Sequence, residues 1–218
     1  MTITEAMSLR HTVRKYTDRP IPPDIVSALN EQVAHLNRTL GLSVGLVIDD
    51  ESGIPGLVKL LLAKGVRNYF IISGPEGSDE VLGYASSVLM LFAQTLGLNT
   101  WWIGGMYDRK SILQKASGKP VGIVVVGYGA VQGHPHRSKR AESVSSYEGL
   151  APEWFTNGVR AALLAPTAMN RQAFTIRGKG NTVSISYAAG PFSAVDLGIV
   201  KHHFETGAGK ERFVWGRL

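Results

Sequence analysis

The stretch Ala165-Pro166-Thr167-Ala168-Met169-Asn170-Arg171-Gln172-Ala173-Phe174 follows an apolar run, Val159 to Leu164, and gathers a proline, a hydroxyl and two carboxamides into one turn. Such a turn offers short polar side chains and free backbone N–H donors. Those groups suit a polar, planar ligand better than a core. Taken alone, the stretch also fits a helix C-terminus followed by an ordinary turn.

Around it the pattern alternates helix and strand. A helix spans about Phe155 to Ala165 before the turn. Ala173–Arg177 and Thr182–Ser186, joined by Gly178–Asn181, predict a hairpin. Ala194–Glu205 reads as an amphipathic helix. Toward the N-terminus, Pro20–Asp24 opens a helix carrying Ile25, Val26, Leu29, Val33 and Leu36, which ends near Gly41. Strands are predicted at Leu42–Asp49, Tyr69–Ser73 and Val121–Gly127, with the segment Asn99–Gly105 lying before the last. Helices are predicted at Ile54–Ala63 and Val81–Leu98. A loop rich in Gly, His, Arg, Ser and Lys covers Tyr128 to Ser146, long enough for a functional role. Pro22–Asp49 and Pro152–Ile185 share one pattern of proline entry, helix and strand, a weak internal pseudo-repeat. No low-complexity linker separates the halves, so one domain over 1–218 is expected.

Composition bounds the chemistry. The chain has 218 residues, 44% apolar and 18% charged, as expected of a globular protein. With no cysteine, disulfides, thiolate nucleophiles and iron–sulfur ligation are excluded. The N-terminus lacks an apolar signal region, and the Val81–Leu98 run is too interrupted to span a membrane. A soluble cytoplasmic protein is expected. A net charge of +6 allows nucleic acid or a small phosphorylated ligand as partner. The cations cluster at Arg10–Lys15 and Arg137–Arg140 without interleaved aromatics, which favours the small ligand. His134, His136, His202 and His203 lack carboxylate or cysteine partners at zinc spacing. Gly127-x-Gly129-x-x-x-Gly133 has the wrong spacing for a dinucleotide loop, and neither a Gly-x-Ser-x-Gly elbow nor a Walker sequence occurs.

The distant partner of the opening stretch is Ser8-Leu9-Arg10-His11-Thr12-Val13-Arg14-Lys15-Tyr16, followed by Asp18-Arg19-Pro20-Ile21. Alternation places Arg10, Thr12 and Arg14 on one side of an extended segment, where guanidinium forks suit a phosphate. Together the two segments resemble the signature pair of the nitroreductase-like FMN-binding family. The resemblance implies an α+β fold, a mostly antiparallel sheet flanked by helices, with two pseudo-repeated halves. It assigns Arg10, His11, Thr12 and Arg14 to the FMN phosphate and ribityl chain. It places Pro166, Thr167, Asn170 and Gln172 at the flavin ring edge and ribityl. Trp102-Ile103-Gly104-Gly105-Met106 resembles the family segment whose backbone (Ile103, Gly104 or Gly105 here) donates near flavin N5. Arg137, Lys139 and Arg140 resemble its late basic element. In the family the proline turn usually comes about thirty residues after the arginine motif, whereas here it follows in the C-terminal half, as in a divergent branch. One chain then supplies both motifs, and a homodimer or a pseudo-dimeric monomer is expected. The implied activity is electron transfer from NAD(P)H through FMN to a nitroaromatic, a quinone or a similar small-molecule acceptor, with no membrane or nucleic-acid partner. A flavin storage or sensor protein, and a nucleic-acid or anion-binding protein, are the alternatives.

Overall fold

The computed structural model describes every residue from Met1 to Leu218. The first half contains α1 (Ile3–Leu9), α2 (Pro23–Leu40), β1 (Gly45–Val47), α3 (Gly56–Leu61), β2 (Tyr69–Gly74), α4 (Asp79–Thr95), β3 (Asn99–Ile103), α5 (Arg109–Lys115) and β4 (Lys119–Gly127). The second contains β5 (Ser145–Tyr147), α6 (Glu153–Ala162), β6 (Phe174–Lys179), β7 (Thr182–Tyr187), α7 (Ser193–Ala208) and β8 (Val214–Trp215). The antiparallel sheet expected from the sequence is two four-stranded sheets, ordered β1-β2-β4-β3 and β5-β6-β7-β8. The first is antiparallel throughout; in the second, the β6–β7 hairpin is antiparallel while β5 and β8 join it parallel. The fold is α+β, as the resemblance implied.

Alternation explains the first sheet. Phe70, Ile72, Val124 and Val126 pack toward α2 and α4, and Tyr69, Ile71, Ile123 and Val125 pack on the opposite face with Val13, Tyr16 and Trp101. Both faces are covered, so these strands read as continuous apolar runs. β1 is shorter than the predicted Leu42–Asp49. At its start Asn37 explains this, because its carboxamide takes both the carbonyl and the N–H of Val44 at 2.9 Å, in place of ladder bonds; at its end Asp49 turns away at φ 55°, its N–H donating to Asn68 Oδ1 at 3.0 Å. α2 begins on Pro23 and ends at Gly41 in the left-handed region (φ 65°), as its sequence signals suggest.

Two helices differ from expectation. α4 stops at Thr95, and Gly97 at φ 80° turns the chain into β3. α7 is central rather than amphipathic. Its buried residues include Val195, Asp196, Gly198, Val200, His203, Phe204 and Glu205, which face every direction. It crosses α4 in a reciprocal contact. A Cβ at Gly83 would strike the carbonyl oxygen of Val195, and a Cβ at Gly198 would strike that of Glu80. Each glycine lies one helical turn after the residue whose carbonyl meets the other glycine. Such an exchange of roles characterises a two-fold, self-complementary interface, here inside one chain. No helix is long and apolar enough to cross a membrane.

Candidate functional site

The arginine segment is laid against the first sheet by its own backbone. After α1 the chain extends, with the Val13 N–H donating to the Thr100 carbonyl (3.1 Å) and the Tyr16 N–H to that of Lys64 (2.8 Å). Thr12 bridges to Thr100 beside β3. Arg10 is buried, its Nε has no hydrogen-bond partner, and it belongs to none of the ion pairs. Burial pulls its guanidinium down to about 10, which still leaves it charged at neutral pH. A desolvated cation without a counter-charge is costly, and a phosphate is the kind of group that would offset it. His11 is partly buried, and its ring is held below the usual range by burial first and then by the charge of Arg10, with smaller contributions from His136 and His134. Arg14 is exposed and stands 5.5 Å above the Trp101 ring.

The proline turn is the most strained part of the chain. Five non-glycine residues have positive φ, and four belong here or next to it: Met169 (51°), Asn170 (53°), Gln172 (44°) and Phe192 (63°). Each such conformation costs on the order of 1–2 kcal/mol and persists where surrounding structure enforces it. The enforcement is visible. Thr167 Oγ1 accepts the Gln172 N–H at 3.1 Å, and both Asp196 oxygens lie 3.0 Å from the Ala168 nitrogen. Tyr187 donates its hydroxyl to the same carboxylate at 2.7 Å. Burial raises the Asp196 carboxyl above its usual range, opposed by these hydrogen bonds and by the charge of Arg171. Pro166 is partly buried at the helix exit.

The glycine- and cation-rich loop joins the two motifs. At one end, a Cβ on Gly133 would meet the Thr12 carbonyl and the His11 side chain. At the other, Gln172 Oε1 accepts the Lys139 N–H (2.7 Å), and Gln172 Nε2 lies near the Leu163 carbonyl (3.0 Å) and His136 Nε2 (3.2 Å). Lys139 Nζ donates to the Gln172 carbonyl at 3.0 Å, and Asn170 Nδ2 to that of Arg137 at 2.8 Å. The Gln172 carboxamide is therefore spent on this loop, while Asn170 is exposed and keeps its Oδ1. The side chains of Arg137, Lys139 and Arg140 are exposed.

The third expected segment closes the group from the first half. Ile103 is buried in β3, Gly104 is partly buried, and Gly105 is exposed with open space where a Cβ would stand. The Phe192 and Trp102 rings fill the space a Gly104 side chain would need. A groove of about 450 Å³ between α2 and α4, lined by Leu36, Leu40, Tyr84 and Val88, contains none of these residues.

The family model described as "Putative TM nitroreductase" matches residues 2–208. The chain belongs to this nitroreductase-like family. A solved structure described as a "putative nitroreductase" from Thermotoga maritima is 21% identical over 98% of this chain and 87% of its own, with a TM-score of 0.69. A nitroreductase family protein of Clostridium difficile is 20% identical over 69% of this chain and all of its own, with a TM-score of 0.51. One from Desulfovibrio desulfuricans, solved in complex with FMN, is 16% identical over 66% of this chain and 95% of its own, with a TM-score of 0.52. No curated protein matches.

Within this nitroreductase-like chain, sequence reasoning missed Asp196, Tyr187, His136 and Phe192. Asp196 had left a signal, as the one acid in the apolar helical run Val195-Asp196-Leu197-Gly198-Ile199. Phe192 had left none, because its role comes from the approach of Gly104.

Proposed function

We propose that this chain is an FMN-dependent oxidoreductase that passes electrons from NAD(P)H to an electron-poor acceptor, and that a single chain builds the flavin site from both halves. The observation that carries the reading is Arg10, a buried guanidinium with an unpartnered Nε and no carboxylate, on a segment tied through one loop to the strained proline turn.

In this reading Arg10, with His11, Thr12 and Arg14 beside it, holds the phosphate and ribityl end by charge-assisted hydrogen bonds. Arg137, Lys139 and Arg140 close over that end as exposed outer cations on a loop pinned to Gln172 and Asn170. Pro166, Thr167 and Asn170 face the ring edge, and Gln172 acts by fixing the basic loop. The backbone of Ile103–Gly105 supplies donors beside the reactive edge, with Gly105 the most open of the three. The chemistry that bound FMN supplies is two-electron transfer, in which NAD(P)H loses hydride to become NAD(P)⁺ and the acceptor gains two electrons and two protons, one from solvent. The protein's work is to bind, orient and shield, and no side chain is assigned as acid or base.

The test is titration of the purified protein with FMN, followed by absorbance and fluorescence quenching. Saturation at one FMN per chain is expected, with bleaching by NADH or NADPH. Absence of flavin binding overturns the reading. Binding without reduction by either donor supports a storage or sensor protein instead.

A further inference from the structure

The two-fold that exchanges Gly83 with Gly198 relates more than these glycines. α2 packs on α4 through Leu29, Val33 and Leu36, and α6 packs on α7 through Phe155, Val159 and Ala162. The rotation therefore exchanges α2 with α6 as it exchanges α4 with α7. No α-helix precedes α6 in the second half as α1 precedes α2 in the first. α1 packs against α4 and α7 and, through the cluster of Met7, Leu91 and Ala161, against α6. Exchanging those helices gives α7, α4 and α2. These three bound the groove of about 450 Å³, with Leu36 and Leu40 from α2, Val81 and Val88 from α4, and Gly198 from α7. The groove is thus the two-fold counterpart of a seat that a seven-residue helix fills.

The chain also has a short helix without a seat. α3 has no buried residue, and Leu57, Leu60 and Leu61, at i, i+3 and i+4 on one stripe, are 68%, 80% and 68% exposed. A contiguous apolar stripe of this kind marks a surface that is covered by a partner. Lys59 is paired with Glu51 and Arg67 with Asp49, so the stripe lacks the row of free cations that an amphipathic helix offers a lipid surface. Nor does α3 reach the groove of its own chain. Val58 packs with Tyr69 and Ile71 on one face of the first sheet, whereas α2 and α4 cover the other. We propose that α3 of one copy seats its leucines in the groove of a second copy, taking the place that α1 holds in the other half. The two surfaces differ and lie on opposite sides of the sheet, so the contact is heterologous. Each assembly keeps a free helix at one end and a free groove at the other, and growth is open-ended rather than closed at a dimer. A six-residue helix buries too little for a tight complex, so the association is weak and concentration-dependent. It stands apart from the flavin reading.

The test is sedimentation velocity of the purified protein from about 1 μM to about 1 mM. The wild type is expected to pass from monomer at the low end to species larger than a dimer at the high end. Leu60→Lys disables the helix and Val81→Arg blocks the groove, and each alone is expected to weaken association at least about tenfold. Mixed in equal amounts at the high end, the two variants retain one working groove and one working helix between them, so they should pair one to one and stop at a dimer. A wild type that stays monomeric throughout overturns the proposal, as does failure of the mixed variants to pair. Association that survives Val81→Arg but not Leu60→Lys means that α3 meets a second α3, and it also overturns the proposal. So does a monomeric wild type that binds phosphatidylglycerol vesicles and loses them in Leu60→Lys, because lipid then covers the helix. Should Val81→Arg fail to fold, His35→Trp fills the groove from the exposed side of α2 in its place.

Discussion

Asp196 holds Ala168 from the first turn of α7, with each carboxylate oxygen 3.0 Å from the Ala168 nitrogen. The grip is charge-assisted, and it fixes a turn whose left-handed residues would otherwise relax. Asp196→Asn keeps the shape but loses the charge and one acceptor. Hydrogen bonds to charged groups contribute about 1.5–3 kcal/mol, so FMN affinity is expected to fall about tenfold or more, with a lower melting temperature. Titration with FMN checks this; a Kd within about twofold of wild type would remove Asp196 from the site's support.

Arg10 and Lys15 share a segment but have different surroundings: Arg10 is buried and unpaired, whereas Lys15 is exposed. Arg10→Ala is expected to weaken FMN binding about tenfold or more, and Lys15→Ala less than about threefold. The apo protein supplies a second readout. Removing a buried charge that has no counter-charge should leave apo stability unchanged or higher. Equal loss of flavin affinity in the two variants would argue against Arg10 as the phosphate ligand.

Gly83 and Gly198 occupy equivalent places in the α4–α7 crossing, each against a carbonyl of the opposite helix. Backbone cannot yield as a flexible side chain does, so an added methyl must force the helices apart. Gly83→Ala and Gly198→Ala are each expected to destabilise by about 3 kcal/mol or to prevent folding. Gly45→Ala is the control, because a Cβ there meets nothing within 4 Å. Chemical denaturation measures all three, and mild effects at both crossing glycines would contradict the close two-fold packing.

Local physics made much of this legible in the sequence. The helix from Pro23 to Gly41 carries a proline start and a glycine stop, and the β6–β7 hairpin has short alternating strands around a glycine turn. The start of α1 is also encoded locally: Thr2 and Glu5 form a capping box, with the Glu5 N–H donating to Thr2 Oγ1 at 3.2 Å. The amphipathic reading of α7 failed because periodicity assumes a broad solvent face, and this central helix keeps only a narrow stripe of exposed or partly exposed residues, Ala194, Leu197 and Lys201. The site motifs were readable as residue types. Their assembly was not, since Gln172 to Lys139 and Gly104 to Phe192 are contacts between distant segments that no local spacing encodes.

The α4–α7 crossing also contains a pH-sensitive element. Ser87 Oγ lies 2.8 Å from His202 Nδ1 and 3.0 Å from His203 Nδ1. Burial holds the His202 ring down to about 4; Glu205 pulls it upward and Lys210 pushes it down. The His203 ring is also held well below its usual range, by burial and then by the charges of His202 and Arg10. In the unfolded chain both rings titrate near about 6.5. A depressed folded pKa means that the unfolded state takes up protons first, so stability is full above about 6.5 and is lost as the pH falls toward 4. For His202 the loss is on the order of 3 kcal/mol, equivalent to a drop of about 6–12 °C in Tm for a chain of this size. Melting curves from pH 7 to 4 are expected to show that fall in the wild type, and a shallower one in His202→Gln with His203 still titrating. Superimposable pH profiles for the two proteins would show that His202 is not a source of the acid sensitivity.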